Sequence, residues 1–188
     1  MEIISTSFKD VYIGSPRVFG DDRGYFMESF NVKHWEHILP NTTFIQDNES
    51  FSARGVLRGM HFQKPPHTQA KLVRVIHGNV LDIIVDLRRD QPTYGEHLSV
   101  ELSADNKKQL YVPRGFAHGF VVLSPTALFA YKCDNYYAKD SEGGLDPLDE
   151  QLNLNWEISK DEISLSDKDK ILPKWGDHYS FESSSLHI

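Results

Sequence analysis

The sequence predicts a mainly β protein, an antiparallel sandwich or barrel, and two observations support that class. Short apolar segments recur at close intervals from residue 44 onward, and turns rich in glycine, proline or asparagine separate them. Many short strands at such spacing are typical of antiparallel sandwiches and barrels. The chain also lacks alternating strands and helices, a glycine-rich dinucleotide fingerprint and a phosphate-binding P-loop, so we expect no parallel α/β fold.

Composition narrows the class of protein. The 188 residues predict one domain, residues 1–188, and 20 Lys and Arg against 27 Asp and Glu give a net charge of −7. A net negative charge argues against sequence-independent nucleic-acid binding. Cys133 is the only cysteine, so we expect neither an internal disulfide nor a cysteine zinc cluster. No apolar run approaches the roughly 20 residues that span a bilayer, and the N-terminus lacks signal-peptide features, so we expect a cytoplasmic protein with no membrane partner.

The first 40 residues predict two strands and one short helix. Residues 11–16 and 18–30 alternate short apolar groups with turn signals, which indicates strands. Residues 31–39 carry apolar side chains at helical spacing, with Asn31 as the N-cap. Pro40 then ends the helix.

Seven further strands follow. We predict them at 44–53, 72–76, 80–87, 97–102, 109–112, 118–123 and 127–132. Asp82 and Asp86 alternate with apolar residues in one strand, so both face the same side. If that side is the barrel interior, Asp82 needs a polar partner, and His118 at the start of a nearby strand is the candidate. Beyond residue 133 the chain predicts loops wrapped over the sheet, with a short helix near residues 166–172.

The stretch GVLRGMHFQKPPHTQAK, residues 55–71, is the first candidate for a site. Its histidines, lysines and arginine precede a predicted buried strand, so we interpret it as a cationic loop that receives an anionic ligand. A solvated surface loop is the alternative interpretation of this stretch alone.

The segment Pro113-Arg114-Gly115-Phe116-Ala117-His118 resembles the second motif of the cupin superfamily, whose fold is a small jelly-roll barrel. Cupins that bind a metal pair this motif with an HxH motif and a glutamate. Here Gln63 replaces the second histidine after His61, and Lys71 stands at the acid position, separated by six residues from Gly78. An ammonium has no lone pair and repels a cation, so we expect the fold without the metal.

The remaining set of two histidines, a lysine and an arginine suits proton transfer beside an oxyanion. Tyr131, on the strand after His118, is the candidate for an opposing acid, although a strand tyrosine packed in the core is the alternative. A base also needs a group that orients it, and the segment LSDKD at 165–169 offers Asp167 and Asp169. The alternative interpretation is that Asp167 and Asp169 are a pair of solvated charges at the end of a helix.

Across nearly its whole length the chain resembles the nucleotide-sugar epimerase branch of the cupins, and within it the dTDP-4-dehydrorhamnose 3,5-epimerase family. The segments that carry this resemblance are FGDDRGYFMESF (19–30), QDN (46–48), VLRGMHFQ (56–63), KLVRV (71–75), NKKQLYVPRGFAHGF (106–120), YKCDNYY (131–137), SEGG (141–144) and LSDKD (165–169). It implies a jelly-roll, cupin-like barrel with a short N-terminal helix and C-terminal loops. Residues 143–158 and the tail beyond Leu172 depart from the familiar pattern.

The resemblance implies a catalytic set. His61 corresponds to the general base and Asp169 to its partner. Lys71 corresponds to the group that stabilises the enolate, with His118 nearby, and Tyr131 to the acid on the opposite face of the sugar.

The resemblance also implies a set of substrate contacts. They are Arg23, Glu28, Gln46, Asn48, Arg58, Glu142 and Lys168, together with Lys71, His118 and the aromatic Phe19 and Phe26. Arg23, Arg58 and Lys168 suit a diphosphate, because cationic side chains bind phosphate oxygens. Family members are homodimers whose N-terminal strands cross the interface, so part of residues 19–28 is expected to complete the neighbouring subunit's site.

The implied function is an isomerase that inverts carbons 3 and 5 of dTDP-4-dehydro-6-deoxy-D-glucose to give dTDP-4-dehydro-L-rhamnose, a step in dTDP-rhamnose and polysaccharide biosynthesis. No metal or cofactor is implied. Alternatives are an epimerase that inverts one centre or uses another nucleotide sugar, a metal-dependent cupin such as a dioxygenase, and a non-catalytic sugar-binding cupin. Gln63 and Lys71 argue against the metal-dependent class.

Overall fold

The computed structural model describes residues 1–186, and strands dominate this part of the chain. Strands and the single α-helix run in the order β1 (Glu2–Ser5), β2 (Tyr12–Ser15), β3 (Val18–Asp21), β4 (Gly24–Met27), α1 (Val32–Trp35), β5 (Gln46–Ala53), β6 (Leu57–Gln63), β7 (Lys71–His77), β8 (Asn79–Asp86), β9 (His97–Ser103), β10 (Gln109–Val112), β11 (Phe116–Val122), β12 (Thr126–Cys133) and β13 (Glu142–Gly144). In the described residues no helix is long and apolar enough to cross a membrane.

Two antiparallel sheets form the body of the protein. The six-stranded sheet has the order β1-β2-β10-β7-β12-β5, and the five-stranded sheet has the order β13-β6-β11-β8-β9. Strands β3 and β4 form a separate two-stranded hairpin. All strand pairs within these sheets are antiparallel, which confirms the predicted mainly β, antiparallel class.

The interior between the two sheets is a shared apolar core. Alternate residues of β7, β8, β11 and β12 point into it, among them Val75, Ile84, Phe120 and Phe129. Phe120 and Phe129 come from opposite sheets and stack with ring centroids 4.0 Å apart. This alternation is the period expected for strands that bury one face, and it also decides which polar side chains reach the interior.

Each sheet is also covered on its outer face. C-terminal segments, including Trp156 and Phe181, pack on the five-stranded sheet. Trp35 of α1 and Leu39 pack with Tyr111 on the six-stranded sheet. The chain beyond residue 133 therefore wraps over the sheet, as predicted.

The predicted helix is present but shorter than residues 31–39. Asn31 is its N-cap and accepts a hydrogen bond from the Lys33 N–H, as the sequence predicted. The helix ends at Trp35, and turns follow, in which the Leu39 N–H still donates to Trp35 O at 2.7 Å. The short helix predicted near residues 166–172 is a 3₁₀ turn at Asp169–Ile171.

The prediction of a loop over residues 55–71 was wrong for its first half, because Leu57–Gln63 is strand β6. A β-bulge interrupts the alternation of inward and outward side chains in this strand, so its sequence does not show the two-residue period of a regular strand. Arg58 lies opposite Phe120 and His61 opposite His118, so the three-residue step on β6 matches a two-residue step on β11. Both Arg58 and His61 therefore face the interior. Gly59 in the bulge has φ of +133°, and a Cβ there would lie 2.5 Å from the Gly119 backbone.

Candidate active site

The candidate site lies between the two sheets, and both sheets contribute polar side chains to it. The five-stranded sheet contributes Arg58 and His61 from β6, His118 from β11 and Glu142 from β13. The six-stranded sheet contributes Gln46 and Asn48 from β5, Lys71 from β7 and Tyr131 from β12. These side chains share the inward face because each alternates with, or pairs opposite, a core residue.

His61 and Asp169 are in direct polar contact in the site. His61 Nε2 lies 2.6 Å from Asp169 Oδ1. The Asp169 side chain is 5% exposed, whereas that of Asp167 is 99% exposed and pairs with Lys170. Of the two candidates in LSDKD, Asp169 is therefore the one that contacts His61. Burial acts to raise the pKa of Asp169, but the hydrogen bond and charge of His61, together with hydrogen bonds from Ser166 and Gly59, lower the pKa overall.

His118 has its own carboxylate. His118 Nε2 lies 3.0 and 2.9 Å from the two oxygens of Asp82, and both residues are buried. The partner that the sequence predicted for Asp82 is therefore confirmed. The imidazole also stacks on Phe129 of the opposite sheet, with centroids 6.2 Å apart. The other strand carboxylate, Asp86, is held by Arg88 and Thr93 instead and takes no part in this site.

Lys71 and Tyr131 lie together on the opposite sheet. Lys71 Nζ is 5.7 Å from the centroid of the Tyr131 ring. Burial lowers the pKa of Lys71, and the charges of Cys133, Asp82 and Glu142 act in the opposite direction. Burial and Cys133 raise the pKa of Tyr131, and only Arg58 opposes them. The phenol consequently keeps its proton at neutral pH, as a proton donor must.

A line of side chains on β5 and β12 forms one wall. Gln46 Nε2 donates to Asn48 Oδ1 at 3.0 Å, and Asn48 Nδ2 donates to Cys133 Sγ at 3.7 Å. Cys133 also lies directly across from Lys71 in the β7–β12 pair. Sequence reasoning did not include Cys133 in the site. The signal was present, since Cys133 is two strand positions from Tyr131 and so shares its inward face.

One ion pair and one further hydrogen bond hold the remaining charged groups. Lys168 donates to Glu142, which links the 3₁₀ turn to β13. Burial disfavours the charged form of Glu142, but the hydrogen bond and charge of Lys168, together with Tyr137 and His61, lower the carboxyl pKa. Arg58 Nε donates to Ser52 Oγ at 3.1 Å, which directs the guanidinium along the inner face of β5.

The four remaining predicted residues are on or beside the β3–β4 hairpin. Phe19, Arg23 and Phe26 are exposed there, and Arg23 pairs only with the neighbouring Asp21 among the described residues. Glu28, just after β4, contacts Asn31 and His34. The single chain therefore does not bring these residues to His61.

The residues at the metal-ligand positions of the cupin motifs contact other groups of the protein. Both His61 Nε2 and His118 Nε2 face carboxylates, and Lys71 supplies a cation. Gln63 turns its amide to backbone groups of a neighbouring loop. Within residues 1–186 no group of three or more His, Cys, Asp or Glu side chains is arranged to hold a metal ion. This donor set does not fit a cupin metal.

The arrangement has the parts that proton transfer next to a carbonyl requires. One sheet holds an imidazole oriented by a buried carboxylate, and the facing sheet holds a phenol with a raised pKa and an ammonium beside it. A base, an acid and a cation near a developing oxyanion are the groups used to form and reprotonate an enolate.

Comparisons with known proteins point to a single family. The family model described as dTDP-4-dehydrorhamnose 3,5-epimerase matches residues 5–177. The dTDP-4-dehydrorhamnose 3,5-epimerase of Escherichia coli (strain K12) is 50% identical over 173 residues, which cover 92% of this chain and 93% of that protein.

Solved structures give the same result. The dTDP-4-dehydrorhamnose 3,5-epimerase from Elizabethkingia anophelis has a TM-score of 0.90 at 51% identity, covering 94% of this chain and 97% of that one. The dTDP-6-deoxy-D-glucose-3,5-epimerase from Legionella pneumophila, in complex with dTDP-4-keto-L-rhamnose, has a TM-score of 0.87 at 46% identity, covering 92% and 91%. These similarities confirm the predicted cupin-like fold class.

Proposed function

Because the chain belongs to the dTDP-4-dehydrorhamnose 3,5-epimerase family, we propose that His61 and Tyr131 carry out its reaction from opposite sides of the sugar. The enzyme inverts carbons 3 and 5 of dTDP-4-dehydro-6-deoxy-D-glucose and gives dTDP-4-dehydro-L-rhamnose. Both carbons flank the ketone at carbon 4, so one carbonyl acidifies both protons. One base and one opposing acid therefore serve both centres.

His61 acts as the general base through Nδ1. The lowered pKa of Asp169 keeps its carboxylate ionised, and an ionised carboxylate only accepts hydrogen bonds. The proton of the neutral imidazole therefore lies on Nε2, 2.6 Å from Asp169, and the lone pair of Nδ1 is free to take a proton from the sugar. Asp169 then stabilises the imidazolium that forms.

Lys71 stabilises the enolate oxygen at carbon 4. Its amino group lies on the inward face beside Tyr131, and as an ammonium it attracts the negative charge that develops on this oxygen. His118, held by Asp82, lies beside His61 and offers a second polar group near the ketone.

Tyr131 returns a proton to the opposite face of each carbon. It lies on β12, whereas His61 lies on β6 of the facing sheet. This placement on facing sheets is the single observation that carries the proposal, since inversion requires removal and addition of the proton from opposite faces.

In this proposal the substrate is bound by the polar side chains on β5 and by the charged side chains of β6, β13 and the 3₁₀ turn. Arg58 and Lys168 suit the diphosphate, because cationic side chains bind phosphate oxygens. Gln46, Asn48 and Glu142 bind the rest of the nucleotide sugar. The bound ligand of the Legionella relative, dTDP-4-keto-L-rhamnose, is a nucleotide sugar of this kind.

A homodimer completes the site in this proposal. The β3–β4 hairpin exposes Phe19 and Phe26, the latter 67% exposed, and β5 is an outer strand of its sheet with Phe51 64% exposed. An exposed apolar hairpin and an edge strand that exposes Phe51 are complementary surfaces, and pairing them across a two-fold axis covers both. Such pairing brings Arg23 towards the Gln46–Asn48 wall of the neighbouring subunit.

We also propose that residues 1–188 act as one domain in the cytoplasm, where substrates activated by a nucleotide are handled without a membrane partner.

The proposal is tested by turnover in heavy water. The purified protein is incubated with dTDP-4-keto-6-deoxyglucose in D₂O, and NMR locates deuterium in the product and determines its configuration. We expect label at carbons 3 and 5 with inversion at both. Label and inversion at one carbon only would identify a mono-epimerase, and no label at all would leave a sugar-binding protein.

A further inference from the structure

We propose that Gln63 is a positioning residue that fixes the substrate-binding amides of Gln46 and Asn48 through the loop at residues 136–138. The inference rests on the proposed function for the role of those two amides. It concerns a side chain that stands where the cupin motif has a metal ligand, and that the reaction itself does not use.

The Gln63 side chain is buried and makes three hydrogen bonds to backbone groups. Nε2 donates to His67 O at 2.6 Å and to Tyr136 O at 3.1 Å, and Oε1 accepts from the Ala138 N–H at 2.7 Å. Both amide protons are therefore used, and the residues on either side of Tyr137 are held by one side chain.

Tyr137 lies between those two contacts and connects the loop to Gln46. The Tyr137 N–H donates to Gln46 Oε1 at 3.4 Å, so the position of this peptide decides which way the Gln46 amide points. Gln46 Nε2 then donates to Asn48 Oδ1, and Asn48 Nδ2 donates to Cys133 Sγ. Each bond fixes the oxygen and nitrogen of the next amide, because a reversed amide would set two donors or two acceptors against each other.

The Gln63 amide is directed to backbone groups of the protein. It is on the same face of β6 as His61, two residues away, but its donors and its acceptor are directed to the two loops that follow β6 and β12. Loss of the side chain should therefore weaken the binding of substrate without removing any group that takes part in proton transfer.

The first test is the variant Gln63→Met, which keeps the length of the side chain and removes all three hydrogen bonds. We expect KM for the nucleotide sugar to rise ~10-fold, while kcat stays within about threefold of the wild type. The matched control is Gln69→Met. Gln69 Nε2 donates to Asn135 O at 2.7 Å, so it joins the same two loops without contacting the 136–138 peptides. Its KM should stay within about twofold of the wild type.

The second test is a double-mutant cycle with Gln46→Met. If Gln63 acts through Gln46, the double variant should have a KM within about twofold of Gln46→Met alone. Should the two increases in KM multiply instead, the positioning role is excluded. A loss of kcat at unchanged KM in Gln63→Met would also overturn it, because that result indicates a direct part in the chemistry.

The variant Gln63→Asn replaces Gln63→Met in the cycle if the latter does not fold. It keeps an amide, but its side chain is one methylene shorter and cannot reach all three backbone partners, so a smaller rise in KM is expected, again without addition to that of Gln46→Met. Failure of the proposed function is distinguishable, because in that case the wild type itself gives no deuterated epimer.

Discussion

Asp169 Oδ1 lies 2.6 Å from His61 Nε2, although 108 residues separate the two in the chain. The contact joins strand β6 to a 3₁₀ turn in the C-terminal segment, where the side chain of Asp169 is only 5% exposed. The fold thus places a buried carboxylate behind the imidazole that we propose as the base.

The first prediction concerns this pair. Asp169→Asn removes the negative charge that orients and stabilises the His61 imidazolium, so we expect kcat to fall ~10²-fold or more. Steady-state kinetics with the 4-keto sugar measures this loss. Asp167→Asn is the control, because that side chain is 99% exposed and pairs only with Lys170 among the described residues. An equal loss of kcat in both variants would show that the pair has no special role.

The second prediction separates the acid from the base. Tyr131→Phe removes the phenol proton and keeps the ring beside Lys71. We expect deuterium exchange on the face of the sugar that is turned to His61 to continue, while net inversion falls ~10²-fold. Proton NMR of the recovered sugar in D₂O measures both. Full epimerisation by this variant would remove Tyr131 from the acid role.

The third prediction tests whether Arg23 acts across a dimer interface. Two differently tagged chains, one with Arg23→Ala and one with His61→Ala, are co-expressed and the mixed dimer is purified. If each site takes Arg23 from one chain and His61 from the other, one of the two sites is intact and about half of the wild-type activity is expected.

The matched controls are the two homodimers, each of which should be severely impaired. If Arg23 serves the site of its own chain, both sites of the mixed dimer carry one defect, and its activity should not exceed that of the better homodimer. A monomer in light-scattering measurements of the wild type would contradict the interface directly.

The fourth prediction concerns pH and the C-terminal segment. His178 stacks on Trp175, and its Nδ1 accepts from the Gly176 N–H. Burial first, and the charge of Arg89 second, lower its pKa from the ordinary 6.5, whereas Asp177 acts in the opposite direction. Below pH 6.5 the unfolded chain therefore binds more protons at His178 than the folded chain does, so this histidine makes stability fall as the pH falls through 6.5 towards the folded-state pKa.

Thermal unfolding at about pH 7.5 and about pH 5.5 measures this effect. His178→Asn keeps an acceptor near the Gly176 N–H and cannot titrate, so the decrease in Tm between the two pH values should be smaller than in the wild type. His37→Asn, at an exposed position, is the control and should leave the decrease unchanged. An identical decrease in the His178 variant would exclude His178 as a source of the pH dependence.

Local patterns were sufficient to predict most of the fold. Alternating apolar residues and turn signals predicted strands β5 and β7 to β12, since these strands bury one or both faces against a core. Strand β6 was missed because its bulge at Gly59 breaks the period of two, and its polar residues then suggested a loop. A bulge depends on the partner strand, which no local pattern contains.

The site was predicted less from local patterns than from the family resemblance. Spacing along the chain favours neither Asp167 nor Asp169, and only the 3₁₀ turn that packs near β6 selects the second. Gln63 illustrates the same limit. The sequence showed that a glutamine replaces the second histidine of the metal-binding motif. The three hydrogen bonds of Gln63 to the loops after β6 and β12, however, arise from tertiary contacts.

The measurement that tests the central proposal most directly is deuterium uptake by His61→Ala. The variant is incubated with dTDP-4-keto-6-deoxyglucose in D₂O under conditions in which the wild type reaches equilibrium, and NMR follows carbons 3 and 5. We expect no enzyme-dependent exchange at either carbon, because the imidazole takes both protons. Exchange that persists at both carbons would show that another group is the base and would contradict the proposed pairing of His61 with Tyr131.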